Sequence, residues 1–480
     1  METTQLINPY ESNPYKRKLS TAIGIYVIIF SGMFLGVGNS IFLPMAGADI
    51  GGMEIYPLAQ SIGGPVSVAL MPIFGYISAR SPHVRRTGLV IGFLVVIACM
   101  VVRATATNMW MIIFTALFLG IESAMRYTFG YALIRESFGQ KQAGIYLGIV
   151  AAMFSAGSLA GPVIVAAVAQ FLSWRFVPVL IAIGFAIGLL LVLAGVRITK
   201  EEGKAIATAT SKVDLFGAIS LAICLAGLIL GLSLGNNYAR FGTPLNTAFF
   251  VIAAVMFILL ILNVRKKGDA AVIPSSVFKN RNAVMLTVIN AMGPFTSMCM
   301  NFFLPAYIMT VLLLSPVESS LTLAMYSVIG LFFGPIFGRW VAKSGTCKPL
   351  SIWFSGVWRI AITIVLIIIL VPGQSIFAIG VVMFIAGFYG SAAGVIGSTG
   401  PQIMIEPQFR QQGNAFIQLG QNLGSAVGVA IYTAIIAAFG MTEGITYALM
   451  VSLGGAVLMT ICAILMKKPT WQEEEAKEAK

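Results

Sequence analysis

Apolar stretches of membrane-crossing length recur along the chain, separated by short polar interruptions. They lie near residues 21–46, 55–78, 87–105, 109–134, 145–170, 175–197, 214–235, 246–264, 283–311, 318–338, 349–371, 375–398, 412–438 and 445–466. A membrane helix needs about 20 mostly apolar residues. The pattern therefore predicts an all-α polytopic membrane protein with fourteen transmembrane helices. About 34 residues per helix plus loop leaves no room for a sizeable soluble domain.

The basic residues test that count, because cytoplasmic loops carry an excess of Lys and Arg. With a cytoplasmic N-terminus and strict alternation, 25 of the 30 Lys and Arg fall inside. Arg103, Arg175 and Arg240 fall outside, and Arg126 and Arg359 lie within spans. A miscounted helix would invert every later loop and destroy the asymmetry. Both termini are thus expected in the cytoplasm. The longest inside loops, 198–213 and 265–282, bracket spans 7 and 8. The chain divides into a tail (1–20), a six-helix half (21–197), a linker with two central helices (198–264), a second six-helix half (265–466) and a C-terminal tail (467–480). Two six-helix halves suit a carrier that rocks about a midplane site.

Composition agrees. Hydrophobic residues make up 58% of the 480 and charged residues only 10%, against roughly 25% charged in soluble domains. Such a surface must be solvated by lipid, in a multi-pass cell-membrane protein. The net charge of +13 reads as cytoplasmic-face charge rather than a nucleic-acid footprint. Cys99, Cys224, Cys299 and Cys462 sit in apolar runs, and Cys347 sits in a short basic loop. None has pairing or metal spacing. His83 is the sole histidine, which excludes a multi-His metal site. No metal or cofactor is expected. The polar first twenty residues and the long run after them do not form a cleavable signal. Glu473, Glu474 and Glu475 near the C-terminus read as a solvated end.

Small residues recur every fourth position, as Gly32/Gly36, Gly157/Gly161, Gly227/Gly231/Gly235, Gly330/Gly334/Gly338 and Gly420/Gly424/Gly428. Such stripes let helices approach closely; static packing and sliding are both open readings. Gly161-Pro162, Gly293-Pro294 and Gly334-Pro335 add predicted kinks, which suit a moving carrier.

At several of these residues the chain resembles the major facilitator superfamily, specifically its fourteen-span drug:proton antiporter branch. Gly157-Ser-Leu-Ala-Gly161-Pro162 is similar to the antiporter motif, with Val165 and Ala166 at its last two glycines, and Ser173-Trp174-Arg175 follows. Pro274 and Val277-Phe278-Lys279-Asn280-Arg281-Asn282 resemble the loop before span 9. The run from Gln418 to Ala430 resembles the span 13 signature. The loop 2–3 motif appears as Gly75-Tyr-Ile-Ser-Ala79-Arg80 through Arg86, with Ala79 at its Asp. The loop after span 10, from Gly338, again has Ala342 for Asp. Leu35 stands at the branch's span 1 Asp, and Ala116 at the family's span 4 Arg. The resemblance implies a major-facilitator bundle and a conformational role for Gly75, Arg80, Gly157, Gly161 and Pro162. The departures remove groups tied to exporter proton coupling.

Three strong charges lie deep in apolar spans: Glu122 and Arg126 in span 4 and Arg359 in span 11. A charge there costs roughly 2.5–3.5 kcal/mol on insertion scales, so it marks function by default. Glu122 and Arg126, four residues apart, share a helix face. They read as a structural ion pair or as a proton carrier, Glu122, whose protonation releases Arg126. Arg359 lies roughly ten residues, about 15 Å, into its span, with Asp214 and Glu318 as the nearest conceivable partners. It reads as a snorkelling side chain or an anion ligand. Two guanidiniums facing one carboxylate leave a spare positive charge, and carboxylate or sulfate fits the guanidinium fork. Asn39, Gln60, Asn290, Asn301, Gln418 and Asn422 could complete the site, with Tyr127 and the many Phe and Met residues as an adaptable wall.

The expected function is proton-coupled carriage, inward, of an amphipathic organic anion by alternating access, by a monomer partnered by substrate, protons and lipid. A general likeness to bile-acid uptake carriers adds a bile-acid-like carboxylate as an example. The alternative is proton-driven multidrug efflux, which the span 5 motif supports. A channel would need a repeated polar ring, and none is visible. A membrane enzyme would need a catalytic set that one histidine in a basic loop does not supply.

Overall fold

The computed structural model describes residues 9–205, 214–235, 239–268, 271, 280–370, 375–405 and 410–467. The acidic tail 473–475, linker residues 206–213 and loop-motif residues 274–279 lie outside the described residues, as do the side chains of Arg410 and Gln418.

Every regular element among the described residues is helical. The chain runs α1 (Tyr15–Ile50), α2 (Tyr56–Arg80), α3 (Val84–Ala104), α4 (Met109–Phe138), α5 (Ala156–Phe171), α6 (Phe176–Leu193), α7 (Leu215–Leu234) and α8 (Pro244–Lys267). It continues as α9 (Arg281–Thr310), α10 (Pro316–Val341), α11 (Lys348–Ile369), α12 (Ile376–Ser398) and α13 (Arg410–Leu465). Twelve of these are long and apolar enough to cross a membrane, and α5 is a shorter apolar segment. α13 covers the two stretches read as spans 13 and 14; at Gly440 its backbone leaves helical geometry (φ 76°, ψ 170°), a conformation that glycine adopts without a Cβ penalty.

The helix starts follow local chemistry. Asn108, Asp214, Thr243, Asn280, Ser315 and Ser375 each cap a helix, accepting an N–H from the first turn. Each satisfies a backbone donor that lipid could not. Ser315 and Glu318 form a reciprocal capping box with Pro316 in the first turn, and Gly345 closes the other end at φ 64°. One boundary differs from the sequence pattern. Where a loop is expected between spans 4 and 5, helical backbone runs on from Tyr131 to Phe171. No proline interrupts residues 131–144, and Arg135, Glu136, Gln140 and Lys141 are good helix formers, so the backbone stays helical through Gly139 and Gly144.

The close helix contacts repeat in the two halves of the chain. On α5, a Cβ at Gly157 would lie 2.7 Å from the Phe30 carbonyl of α1, and one at Gly161 3.0 Å from that of Phe34. On α13, Gly420 and Gly428 stand equally close to the Thr287 and Phe295 carbonyls of α9, and a Cβ on Gly424 would overlap Ala291. These stripes are contact surfaces. The stripe on α10 is different: Gly330 and Gly338 face open space. Gly424→Val should therefore destabilise the fold by about 1–3 kcal/mol through overpacking, while Gly338→Ala leaves it unchanged. Thermal unfolding of the purified variants checks both; equal midpoints would contradict the packing.

α7 bridges the halves. Its Leu221 and Leu225 pack with Val68 of α2, Leu260 of α8, and Leu419 and Leu423 of α13. α8 turns Val251, Val255, Phe257, Ile258 and Leu262 outward, a lipid-facing surface. At the end remote from the N-terminus the two halves touch. There the Val317 N–H donates to Gln170 Oε1 (3.3 Å), and Tyr56 packs on Phe302 with ring centroids 5.8 Å apart.

Cys347, in the short basic loop before α11, is buried. Burial pushes its thiol up to about 12, so it stays protonated and unreactive at neutral pH.

Candidate functional site

A cavity of about 200 Å³ lies among α1, α2, α3, α4, α6 and α13. Glycines make the room for it. Gly63 of α2 and Gly120 of α4 cross so closely that a Cβ on Gly120 would lie 3.1 Å from the Gly63 Cα. Gly32 of α1 leaves the space in which the Arg126 guanidinium rests; a Cβ there would lie 2.6 Å from its Cζ. Gly36 opens directly on the cavity.

Glu122 and Arg126 both line the cavity, at 3% and 7% side-chain exposure. Arg126 Nε stands 3.1 Å from Glu122 Oε1. The pair is close enough for Coulomb attraction, yet not aligned as a hydrogen bond, so both atoms count as unpartnered buried polar atoms. Arg126 Nη1 is also without a hydrogen-bond partner. Arg126 opens a π-helical turn, Arg126–Gly130; such bulges are frequent at functional sites because they re-aim side chains. Its guanidinium lies 5.0 Å from the Tyr127 ring centroid, and Tyr127 stacks on Phe154.

Asn39, Gln60 and Asn422 also line the cavity. Asn39 Nδ2 donates to Gln60 Oε1 at 2.9 Å, and Gln60 Nε2 donates to the Gly36 carbonyl at 3.4 Å.

Arg359 is placed elsewhere, which corrects the expectation of two guanidiniums facing Glu122 from spans 4 and 11. It is not among the residues lining this cavity. It follows the π segment Ser351–Trp358 and binds α9, donating from Nη1 to the Gly293 carbonyl, Thr296 Oγ1 and Ser297 Oγ. Its guanidinium stacks 4.0 Å from the Tyr389 ring centroid. At 1% exposure it does not snorkel. Asp214 instead holds Lys267 and Asn263, and Glu318 holds Ser315, so neither conceivable partner serves Arg359. Asn301 lies on the π turn Cys299–Phe303 with Oδ1 unpartnered. Asn290 accepts from Gln421 Nε2 (2.9 Å).

The second guanidinium of the cavity is Arg103. Positive-inside arithmetic sets it among the outer-face residues, but its side chain is 0% exposed and lines the cavity. The available signal was its place inside the apolar run 87–105. In the loop 2–3 motif, Arg80 is exposed and donates to the Tyr76 hydroxyl, and Gly75 faces open space. The anchoring contacts run through Arg85, which binds Ser78 and Glu136, and Arg86, which binds the Val192 and Leu193 carbonyls. Among the described residues, no group of three His, Cys, Asp or Glu could hold a metal ion.

A model of the Major Facilitator Superfamily matches residues 25–399 and 285–480. The riboflavin transporter RibZ of Clostridioides difficile (strain 630) is 22% identical over 421 residues, 86% of each chain. Multidrug resistance protein 3 of Bacillus subtilis (strain 168) is 22% identical over 87% of this chain and 80% of its own. The multidrug efflux pump SdrM of Staphylococcus aureus (strain N315) is also 22% identical, over 86% and 89%. The crystal structure of a POT family transporter in complex with 5-aminolevulinic acid superposes with a TM-score of 0.68 at 14% identity, over 93% of this chain and 96% of that one. At that identity the likeness is one of fold.

Proposed function

Since the chain belongs to the major facilitator superfamily, and is thus a multi-pass transporter, we propose that it carries an amphipathic organic anion inward together with a proton. A bile-acid-like carboxylate is one member of that class; its acidic end is the part this cavity accommodates. The observation that carries the reading is the cavity itself, which holds one carboxylate, Glu122, and two guanidiniums, Arg103 and Arg126. With all three ionised it has one uncompensated positive charge.

The coupling follows from the pair. An ionised Glu122 holds Arg126 by Coulomb attraction. A proton on Glu122 removes that attraction and frees Arg126 for the substrate carboxylate. Proton and anion then bind cooperatively, so the two travel in the same direction. An inward proton gradient drives the anion inward. In this reading the chain has fourteen spans with cytoplasmic termini, works as a monomer, and moves by rocking α1–α6 against α9–α13. The unpacked glycines of α10 and the prolines inside helices at Pro162, Pro294 and Pro335 fit such motion.

Purified protein in proteoliposomes tests this. An acidic exterior should drive accumulation of a labelled organic anion, and collapse of the gradient should abolish it. The second reading, drug export, is favoured by the relatives named as multidrug proteins and by the Gly157–Pro162 motif. Substrate accumulation only when the vesicle lumen is acidic would replace symport by that reading.

A further inference from the structure

Arg126 has a carboxylate partner in the cavity; Arg103 has none. We infer that Arg103 is the residue that seats the acidic group of the substrate, and that Arg126 joins it only when Glu122 is protonated. This rests on the anion-carrier reading and assigns its binding residue.

Arg103 closes α3, and its side chain is fully buried. Two of its three nitrogens are held by neutral groups. Nε donates to Thr115 Oγ1 at 2.8 Å, and Nη1 reaches Asn39 Oδ1 at 3.5 Å. The guanidinium lies 5.9 Å from the Phe42 ring centroid. Nη2 has no hydrogen-bond partner, and no ion pair forms at Arg103 among the described residues. A buried charge is normally paired, and a guanidinium offers donors in a fork that matches a carboxylate. Snorkelling does not explain the position, since no part of the side chain reaches the surface. The residue lines the same cavity as Glu122 and Arg126, so an anion entering it meets an uncompensated charge before any proton is bound.

The arrangement divides the labour. Thr115 and Asn39 hold Arg103 in place, and Arg103 supplies a standing positive charge at neutral pH. The Glu122–Arg126 pair supplies a second positive charge that depends on pH. The matching ligand is a carboxylate or sulfonate on an apolar body. Neutral and cationic isosteres of the same body lack the group that Arg103 selects.

Purified protein in nanodiscs, titrated calorimetrically with 4-phenylbutyrate and with its alcohol and amine isosteres, tests the assignment. The wild type should prefer the acid. Arg103→Gln should weaken acid binding at least ~30-fold, as loss of a partner from a buried charge pair does, and leave alcohol binding unchanged. Arg103→Lys should fall between, because the fork is lost and the charge kept. Asn39→Asp places a carboxylate beside Arg103 Nη1 and should produce the same loss with Arg103 present; it decides the matter if Arg103→Gln does not fold. In these variants the residual acid binding should still strengthen as pH falls, through Glu122. Unchanged acid preference in Arg103→Gln or in Asn39→Asp would overturn the role of Arg103 and leave the carrier reading standing. A wild type that does not prefer the acid would overturn the anion reading, and this assignment with it.

Discussion

Glu122→Gln should abolish proton-driven accumulation while sparing exchange. Gln cannot ionise, so the pair is permanently in its released form and Arg126 stays available to the anion. Substrate on one side can then exchange for substrate on the other, but the proton gradient no longer does work. A two-unit pH gradient coupled to one proton supports up to ~100-fold accumulation, since each pH unit is worth about 1.4 kcal/mol. The variant should fall to a ratio of one under the same gradient. Counterflow of labelled against unlabelled substrate should persist. Loss of both activities would mean that Glu122 and Arg126 form a structural pair that the protein cannot do without.

The second large effect concerns the same pair from its other side. Arg126→Met leaves Glu122 as a buried carboxylate without its cation, while Arg103, across the same cavity lining, stays hydrogen-bonded to Thr115. Removing one partner of a buried pair destabilises by about 3–5 kcal/mol. The midpoint of thermal unfolding should drop accordingly. Adding Glu122→Gln to Arg126→Met removes the stranded charge and should restore most of the stability, but not transport, because the released guanidinium is gone. A double variant no more stable than Arg126→Met would show that the destabilisation comes from lost packing against Gly32 and Tyr127 rather than from charge.

These two experiments stand on residues legible without any structure. Glu122 and Arg126 are four apart in an apolar run, and no other reading of helix geometry sets them far from each other. Asn39, Gln60 and Asn422 were candidates only as polar side chains in lipid-spanning stretches, and the fold gathers all three into the cavity. Arg359 was equally conspicuous, but a buried charge announces only that it needs partners. Gly293, Thr296 and Ser297 supply them locally, away from Glu122. Arg103 shows the converse. Two residues from the end of its run, it counts as an interfacial anchor in one dimension, and only the approach of Thr115 and Asn39 reveals that it points inward.

The sequence alone determined that this chain lives in lipid, that its apolar runs are helical, and where most of its long helices begin, because the length of an apolar run and the chemistry of a cap are local properties. The tertiary structure decided which charges meet. That depends on Gly63 and Gly120 letting two backbones approach closely, on Gly32 leaving space for the Arg126 guanidinium, and on the π turn that Arg126 opens. These are consequences of packing between segments far apart in the chain, and a one-dimensional pattern does not contain them.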